Sequence, residues 1–408
     1  MSEISEQEFR AEAAAFLEAN AERRRDVKLG WGEGSDRVNL LAEKTPEEER
    51  AEVAAAKQWK AKEFDAGFGW ITGPSDHGGR GLPASYARTY EGLKSRFATP
   101  SEQPFAIGLG MVAPTILAHA TEDVKQRYLR SLWRGDIVAC QLFSEPVAGS
   151  DLAGLQTRAV RDGDEWLVNG QKVWTSGAQF SDIGEIICRT DPDLPKHKGL
   201  TGFVVDMKAP GVEVRPLRQM TGGASFNEVF FTDVRIPDDH RLGDVNQGWT
   251  VALTTLMNER ASIGAGGAGG AGGAGGGGLT RILQLARWLG RNGDAVDRQA
   301  LADLYIHLTV ARYTNARGLE RIKSGQLPGP EMSIAKLSLT QNYQRMAAVL
   351  SSLLGPRLTA DSGEWGTYAW TELVLGVPGM RVAGGTDEVM RNIVGERVLG
   401  LPKEPAAN

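Results

Sequence analysis

Hydrophobic and polar positions follow a helical period at both ends of the chain and a period of two in the middle. Phe9, Ala13, Phe16 and Leu17 share one helical face, and Ser5 with Glu8 makes a capping box ahead of them. Thr45-Pro46-Glu47-Glu48 opens a second helix, with proline at its first position and acids in its first turn. Glycines and prolines from Gly67 to Pro83 predict a loop, in which Gly78-Gly79-Arg80-Gly81 reads as a turn. Helical spacing resumes at Ser85 and runs through Thr121 to Trp133. From about Cys140 to Pro237 the short β-rich runs Ile186-Ile187-Cys188, Gly202-Phe203-Val204-Val205 and Glu228-Val229-Phe230-Phe231 predict a sheet. Helices return over Val251–Arg260, Leu279–Leu289, Gln299–Lys323, Ser333–Leu354 and Thr386–Leu399. The order predicted is therefore α–β–α.

One segment concentrates candidate chemistry, from Cys140 to Gly177. Alternation in Gln156–Val160 and Glu165–Val168 flanks the tight-turn sequence Asp162-Gly163-Asp164 and predicts a hairpin. A second turn is predicted at Asn169-Gly170, leading to Lys172-Val173-Trp174-Thr175-Ser176. Two polar runs, one around Ser144-Glu145-Pro146 and Gly149-Ser150-Asp151, the other at Thr175-Ser176, then fall at neighbouring strand ends. Short hydroxyls and open backbone N–H groups suit a planar heteroaromatic ring with polar edges, and an indole supplies a flat wall.

Length and composition narrow the picture. At 408 residues, two or three domains are expected. The net charge of −5 gives no electrostatic reason to bind nucleic acid or an anionic membrane surface. Cys140 and Cys188 form no Cys-x-x-Cys motif, and His77, His119, His197, His240 and His307 are too scattered for a metal site. No span of about twenty apolar residues appears, and Met1–Arg10 lacks a signal pattern, so a cytoplasmic protein is expected.

The ordered set Ser144-Glu145-Pro146, Ala148-Gly149-Ser150-Asp151, Asn169-Gly170, Lys172 and Trp174 resembles the signature of the acyl-CoA dehydrogenases, flavoenzymes that desaturate acyl thioesters. The resemblance implies an α+β fold with an N-terminal helical domain (1–138), a middle β-barrel domain (139–238) and a C-terminal four-helix bundle (239–408) that also makes the oligomer contact. It implies FAD as cofactor, an acyl-CoA as substrate, an electron-transfer flavoprotein as electron acceptor, and a homo-oligomer, dimer or tetramer.

The resemblance also assigns roles. Phe143 and Ser144 fall at the flavin's pyrimidine side. Trp174, Thr175 and Ser176 flank the ring, although Trp174 has an alternative as plain core and the two serines as strand-end partners. Ser150 falls near the pantetheine or a flavin phosphate, or serves only the turn. Thr386 and Glu388 fall where the family contacts FAD across a subunit boundary, at the start of the final helix, although the charge of Glu388 opposes a phosphate.

Desaturation needs a base for the α-proton, a hydride acceptor over the β-carbon, and stabilisation of charge on the thioester oxygen. Many relatives place the base near the C-terminus, at the position of Gly384, which has no side chain. Other relatives, of long-chain and isovaleryl type, carry it on the helix after the β-domain, before an arginine. Met257-Asn258-Glu259-Arg260 stands there. Glu259 is therefore the candidate base, with Asp387 and Glu388 as competing carboxylates. The Gly384 backbone N–H keeps the task of binding the thioester oxygen, and Arg260 pairs with the coenzyme or with a neighbouring acid.

Two departures stand beside the resemblance. Residues 264–278 read GAGGAGGAGGAGGGG, which strongly opposes a helix. A flexible connector is expected there, with a mobile gate as the alternative. The Arg-x-x-Phe-Gly run that reaches a partner's FAD in many relatives is missing, so a hetero-oligomer with a distinct subunit is a further expectation. The rivals to desaturation are an oxidase or monooxygenase on the same scaffold, and a non-catalytic subunit that binds acyl-CoA or FAD.

Overall fold

Capping boxes at Ser5–Glu8 and Thr45–Glu48 start the first two helices where the sequence predicts, each with the side chain of the cap and that of the glutamate exchanging hydrogen bonds with backbone N–H groups. The computed structural model describes residues 4–24, 30–38, 44–264, 278–323 and 329–403. The helices are α1 (Glu6–Asn20), α2 (Pro46–Asp65), α3 (Ala84–Lys94), α4 (Ala113–His119), α5 (Glu122–Arg134), α6 (Gly248–Gly264), α7 (Gly278–Trp288), α8 (Ala295–Lys323), α9 (Met332–Leu354), α10 (Thr371–Met380) and α11 (Asp387–Ile393). The strands are β1 (Glu22–Arg23), β2 (Phe97–Ala98), β3 (Ala139–Leu142), β4 (Arg158–Asp162), β5 (Glu165–Ser176), β6 (Ile183–Arg189), β7 (Leu200–Asp206), β8 (Val212–Leu217), β9 (Phe226–Pro237) and β10 (Arg241–Leu242).

Strands β3 to β10 make one sheet in the order β10-β7-β6-β4-β5-β9-β8, with β3 joining β6 in parallel. The predicted hairpin is β4–β5, closed where Asp162 faces Glu165 and Gly163 takes a left-handed φ of 68°. Asn169-Gly170 is not a turn. β5 runs through it unbroken, and the partner register on β9 slips there, a β-bulge. Glycine is needed at this bulge because a Cβ on Gly170 would stand 2.7 Å from the Thr157 Cα.

The helical run predicted from Ser85 to Trp133 is three α-helices and a π-helical turn at Gly108–Val112, divided by irregular segments. The run predicted to Leu399 is α11, ending at Ile393, and a π-helical turn over Val394–Val398. Helix α10 was not predicted, because Gly376, Pro378 and Gly379 within it read as breakers. Of the glycine-alanine stretch, residues 265–277 lie outside the described residues.

Chain contacts define two units. The first holds α1, residues 44–217 and residues 226–255. Its helical part packs around Phe9, Leu17, Trp59, Phe68 and Tyr90, and its sheet around Leu142, Val168, Ile186, Phe203 and Phe231. The second holds residues 30–38, 218–225 and the chain from Leu256 onward, around Leu285, Leu304, Met346, Leu350 and Trp370.

The first two turns of α6 are tied to the sheet by polar contacts in the core. Thr255 Oγ1 donates to Glu185 Oε1 of β6 at 2.6 Å, and Thr115 Oγ1 of α4 stands 2.8 Å from Thr255 Oγ1. Glu185 is fully buried, and its Oε2 has no hydrogen-bond partner among the described residues. Burial pushes its carboxyl up to about 8, only partly offset by the Thr255 hydroxyl. Between pH 4.5 and about 8 the folded protein keeps this proton while the unfolded chain releases it. Stability therefore falls as pH rises through that window. Glu185→Gln is expected to raise the melting temperature relative to the parent at pH 8–9 and to lose that advantage near pH 4.5, as thermal melts across pH will show.

Candidate active site

The two polar runs meet through a buried ion pair. Lys172 of β5 is fully buried, and its Nζ donates to Glu145 Oε1 at 2.8 Å, to the Phe143 carbonyl at 3.0 Å and to the Ile187 carbonyl at 2.8 Å. Those three acceptors use all three ammonium donors. Glu145 also accepts the backbone N–H groups of Gln156 at 2.6 Å and Thr157 at 2.9 Å. Burial pushes the Glu145 carboxyl up, but Lys172 and these hydrogen bonds outweigh it and hold it below the usual carboxylate range. The Val173 N–H donates to the Ser144 carbonyl at 2.8 Å, joining the segment after β3 to β5 directly. Glu145 and Lys172 belong to the sequence signature, yet sequence reasoning gave them no role. Their signal was two charged residues inside otherwise strand-forming stretches.

At the far end of β5 the register slips again, between Lys172 and Thr175. Trp174 sits in that slip at φ 62°, a left-handed conformation that a bulky side chain rarely adopts. It is 61% exposed, so it is not core. Its ring meets Phe226 edge-on at 6.1 Å. Thr175 points the opposite way and is buried, and its Oγ1 has no hydrogen-bond partner among the described residues. Its carbonyl accepts the Asn227 amide at 3.0 Å. Phe143 is buried, and Ser144 and Ser176 are half-buried. Backbone strain of about 1–3 kcal/mol at an exposed tryptophan is the pattern of a ligand edge. These groups fit a flavin ring: an indole face, hydroxyls for its polar edge, and a rigid strand end.

Ser150 is exposed, on the turn after the Glu145–Ala148 bridge, and the adjacent Asp151 pairs with Lys196 at 2.8 Å. That Lys196 also lines a cavity of about 650 Å³, together with Arg158, Arg189 and Thr190.

In the second unit, Glu259 is half-buried on α6, one helical turn after Thr255. The Arg260 side chain lies outside the described residues. Gly384 and Gly385 take left-handed φ values of 67° and 91°, which only glycine adopts freely. The Gly384 N–H has no backbone partner among the described residues, so it is a donor left open. Thr386 caps α11, its Oγ1 accepting the Val389 N–H at 3.1 Å. Glu388 is exposed and pairs with Arg381 at 3.6 Å and Arg391 at 3.5 Å.

Asp387, a competing carboxylate in the sequence, is held by several partners. It is fully buried, accepts from Thr340 Oγ1 at 2.7 Å and Arg381 Nε at 3.0 Å, and lies 3.4 Å from Lys336 Nζ. Burial pushes its carboxyl up, but these partners outweigh it and hold it below the usual range. A carboxylate so engaged is an anchor and a poor proton acceptor.

A helical region, a mixed sheet and a second helical region follow one another along the chain. Comparison with known proteins makes this specific. Residues 35–136, 140–234 and 246–399 match the N-terminal, middle and C-terminal domains of acyl-CoA dehydrogenases. The acyl-CoA dehydrogenase FadE34 of Mycobacterium tuberculosis is 37% identical over 86% of this chain, which spans 48% of that protein's length. The acyl-CoA dehydrogenase IpdE1 of the same organism is 33% identical over 88% of this chain and 91% of its own length. A solved structure described as the Tcur3481-Tcur3483 steroid ACAD superposes with a TM-score of 0.74 at 27% identity, covering 98% of each chain. The ChsE4-ChsE5 complex from Mycobacterium tuberculosis superposes at 0.69 with 26% identity, over 99% of this chain and 100% of that one. The chain belongs to the acyl-CoA dehydrogenase family, whose members are FAD-dependent oxidoreductases.

The ion pair generates a prediction. Lys172→Met leaves Glu145 buried without its cation and is expected to cost about 3–5 kcal/mol. Glu145→Gln combined with Lys172→Met is expected to recover part of that loss, because no lone charge remains. Urea unfolding of the single and double variants checks both.

Proposed function

We propose that this chain binds FAD and desaturates an acyl-CoA to its trans-2-enoyl thioester. The observation that carries the reading is the strained, exposed Trp174 at the end of β5, between the half-buried Ser144 and Ser176. Ser144 and Ser176 offer hydrogen bonds to the ring's polar edge, Thr175 lies beneath them in the strand, and Trp174 covers a face. The cations Arg158, Arg189 and Lys196 that line the sheet's cavity suit the phosphates of coenzyme A.

Glu259 takes the proton from the α-carbon. The β-hydrogen leaves with its bonding pair, and the α–β single bond becomes double. The Gly384 N–H accommodates the charge that gathers on the thioester oxygen. When bound, FAD supplies the hydride acceptor at N5 and a route for the electrons to an electron-transfer flavoprotein. Among the described residues no helix is long and apolar enough to cross a membrane, and we read the protein as cytoplasmic.

The active form is an oligomer. Ile306, Val310 and Tyr313 follow at i, i+4 and i+7 along α8, each more than half exposed, an apolar stripe suited to a subunit contact. A homo-oligomer and a hetero-oligomer both fit this stripe. Two related structures whose descriptions each name two proteins favour the second, as does the missing Arg-x-x-Phe-Gly run.

Anaerobic titration of the purified holoprotein with linear, branched and steroid-linked acyl-CoAs tests the reading. At least one is expected to bleach the flavin absorbance. Glu259→Gln is expected to retain FAD and slow bleaching by a factor on the order of 10² or more. Bleaching at the parent rate would assign the base elsewhere. Protein purified without flavin would favour a non-catalytic subunit, and rapid reoxidation by oxygen would favour an oxidase.

A further inference from the structure

The turn that carries Gly384 has two consecutive glycines in left-handed conformations, and glycine restrains such a turn least of all residues. An N–H on so free a turn has no fixed direction of its own. The turn is nonetheless gripped from below. Lys336 of α9, 2% exposed, donates through Nζ to the Gly385 carbonyl at 2.5 Å and to the Arg381 carbonyl at 3.3 Å, one on each side of Gly384. Asp387 closes the other side. Its carboxylate holds Lys336, Thr340 and Arg381, and its own N–H returns to the Arg381 carbonyl at 3.1 Å. Every contact lies within the second unit, and the two charges are buried together.

From this geometry we propose that Lys336 and Asp387 are positioning residues that fix the direction of the Gly384 N–H for the thioester oxygen. Neither touches substrate; they act through the turn. The inference rests on the reading that Gly384 supplies this hydrogen bond. A donor aimed where charge develops matters more in the transition state than in the bound substrate. Loosening the turn therefore lowers kcat and leaves KM nearly unchanged, whereas a general loss of structure lowers flavin content and thermal stability.

The test uses the holoprotein with a non-oxidisable 2-aza-acyl-CoA, which has no α C–H for Glu259 to attack, labelled with ¹³C at the thioester carbonyl. Infrared difference spectra read the carbonyl stretch, which falls to lower frequency when the oxygen accepts a strong hydrogen bond. In the parent protein the bound probe is expected to show that fall. In Lys336→Met and in the milder Thr340→Val the fall is expected to shrink, kcat to drop on the order of tenfold to a hundredfold in the first and less in the second, and KM and FAD content to stay near the parent's. Lys336→Arg, which keeps the cation, is expected to recover part of the shift. Thr340→Val carries the same readout if Lys336→Met fails to fold. A full carbonyl shift with parental kcat in these variants would overturn the positioning role while leaving the Gly384 reading intact. No shift in the parent would overturn the Gly384 reading, and this inference with it.

Discussion

The site rests on one interaction, the buried pair between Lys172 and Glu145. Two charges removed from water cost several kcal/mol each unless their geometry is complete. Here it is complete on both sides. The ammonium has three acceptors, and the carboxylate takes the ammonium and two backbone N–H groups. A satisfied network of this kind specifies one arrangement, because any slip of a strand would leave a charge unpaired. It locks the segment after β3, the entry to β4, the middle of β5 and the end of β6 to one another. The next residues along β5 can then depart from regular geometry. The left-handed Trp174 costs free energy that an unsupported strand end would relieve by relaxing.

Three buried carboxylates mark how the molecule separates fixed charge from absent charge. Glu145 and Asp387 each have a lysine and further donors, and both are held ionised below the usual range. Glu185 has a single threonine hydroxyl and no cation, and its carboxyl is pushed up to about 8. The first two organise turns and strand ends that bear candidate ligand groups. The third organises the start of α6 as a neutral hydrogen-bonding group. Burial is common to all three, and the number of donors decides the outcome.

Much of this was legible in the sequence where local rules decide. Capping boxes placed α1 and α2, alternation with Asp162-Gly163-Asp164 placed the β4–β5 hairpin, and the ordered signature pointed to the family. What escaped depended on partners distant along the chain. Asn169-Gly170 has the composition of a turn, but pairing with β9 on one side and Thr157 on the other made it a bulge. Helix α10 forms around Pro378 because tertiary packing outweighs the local penalty. Lys336 and Asp387 are 51 residues apart, and nothing in either neighbourhood announces the other.

The glycine at 384 changes what its surroundings must do. Where the base and the oxyanion donor belong to one residue, packing of the side chain also orients the backbone. A glycine severs that link, because it has no side chain by which neighbours can hold it, and its conformational freedom is the largest of any residue. The orientation of its N–H must then be imposed through the flanking carbonyls and the helix that follows. Those are the groups that Lys336 and Asp387 engage. The proposed division of the chemistry between Glu259 on α6 and the backbone at Gly384 would carry a structural requirement of its own: a buried clamp on a turn that would otherwise drift. On that proposal the requirement would account for a lysine and an aspartate buried together under a surface turn, where an apolar pair of similar volume would cost less to bury.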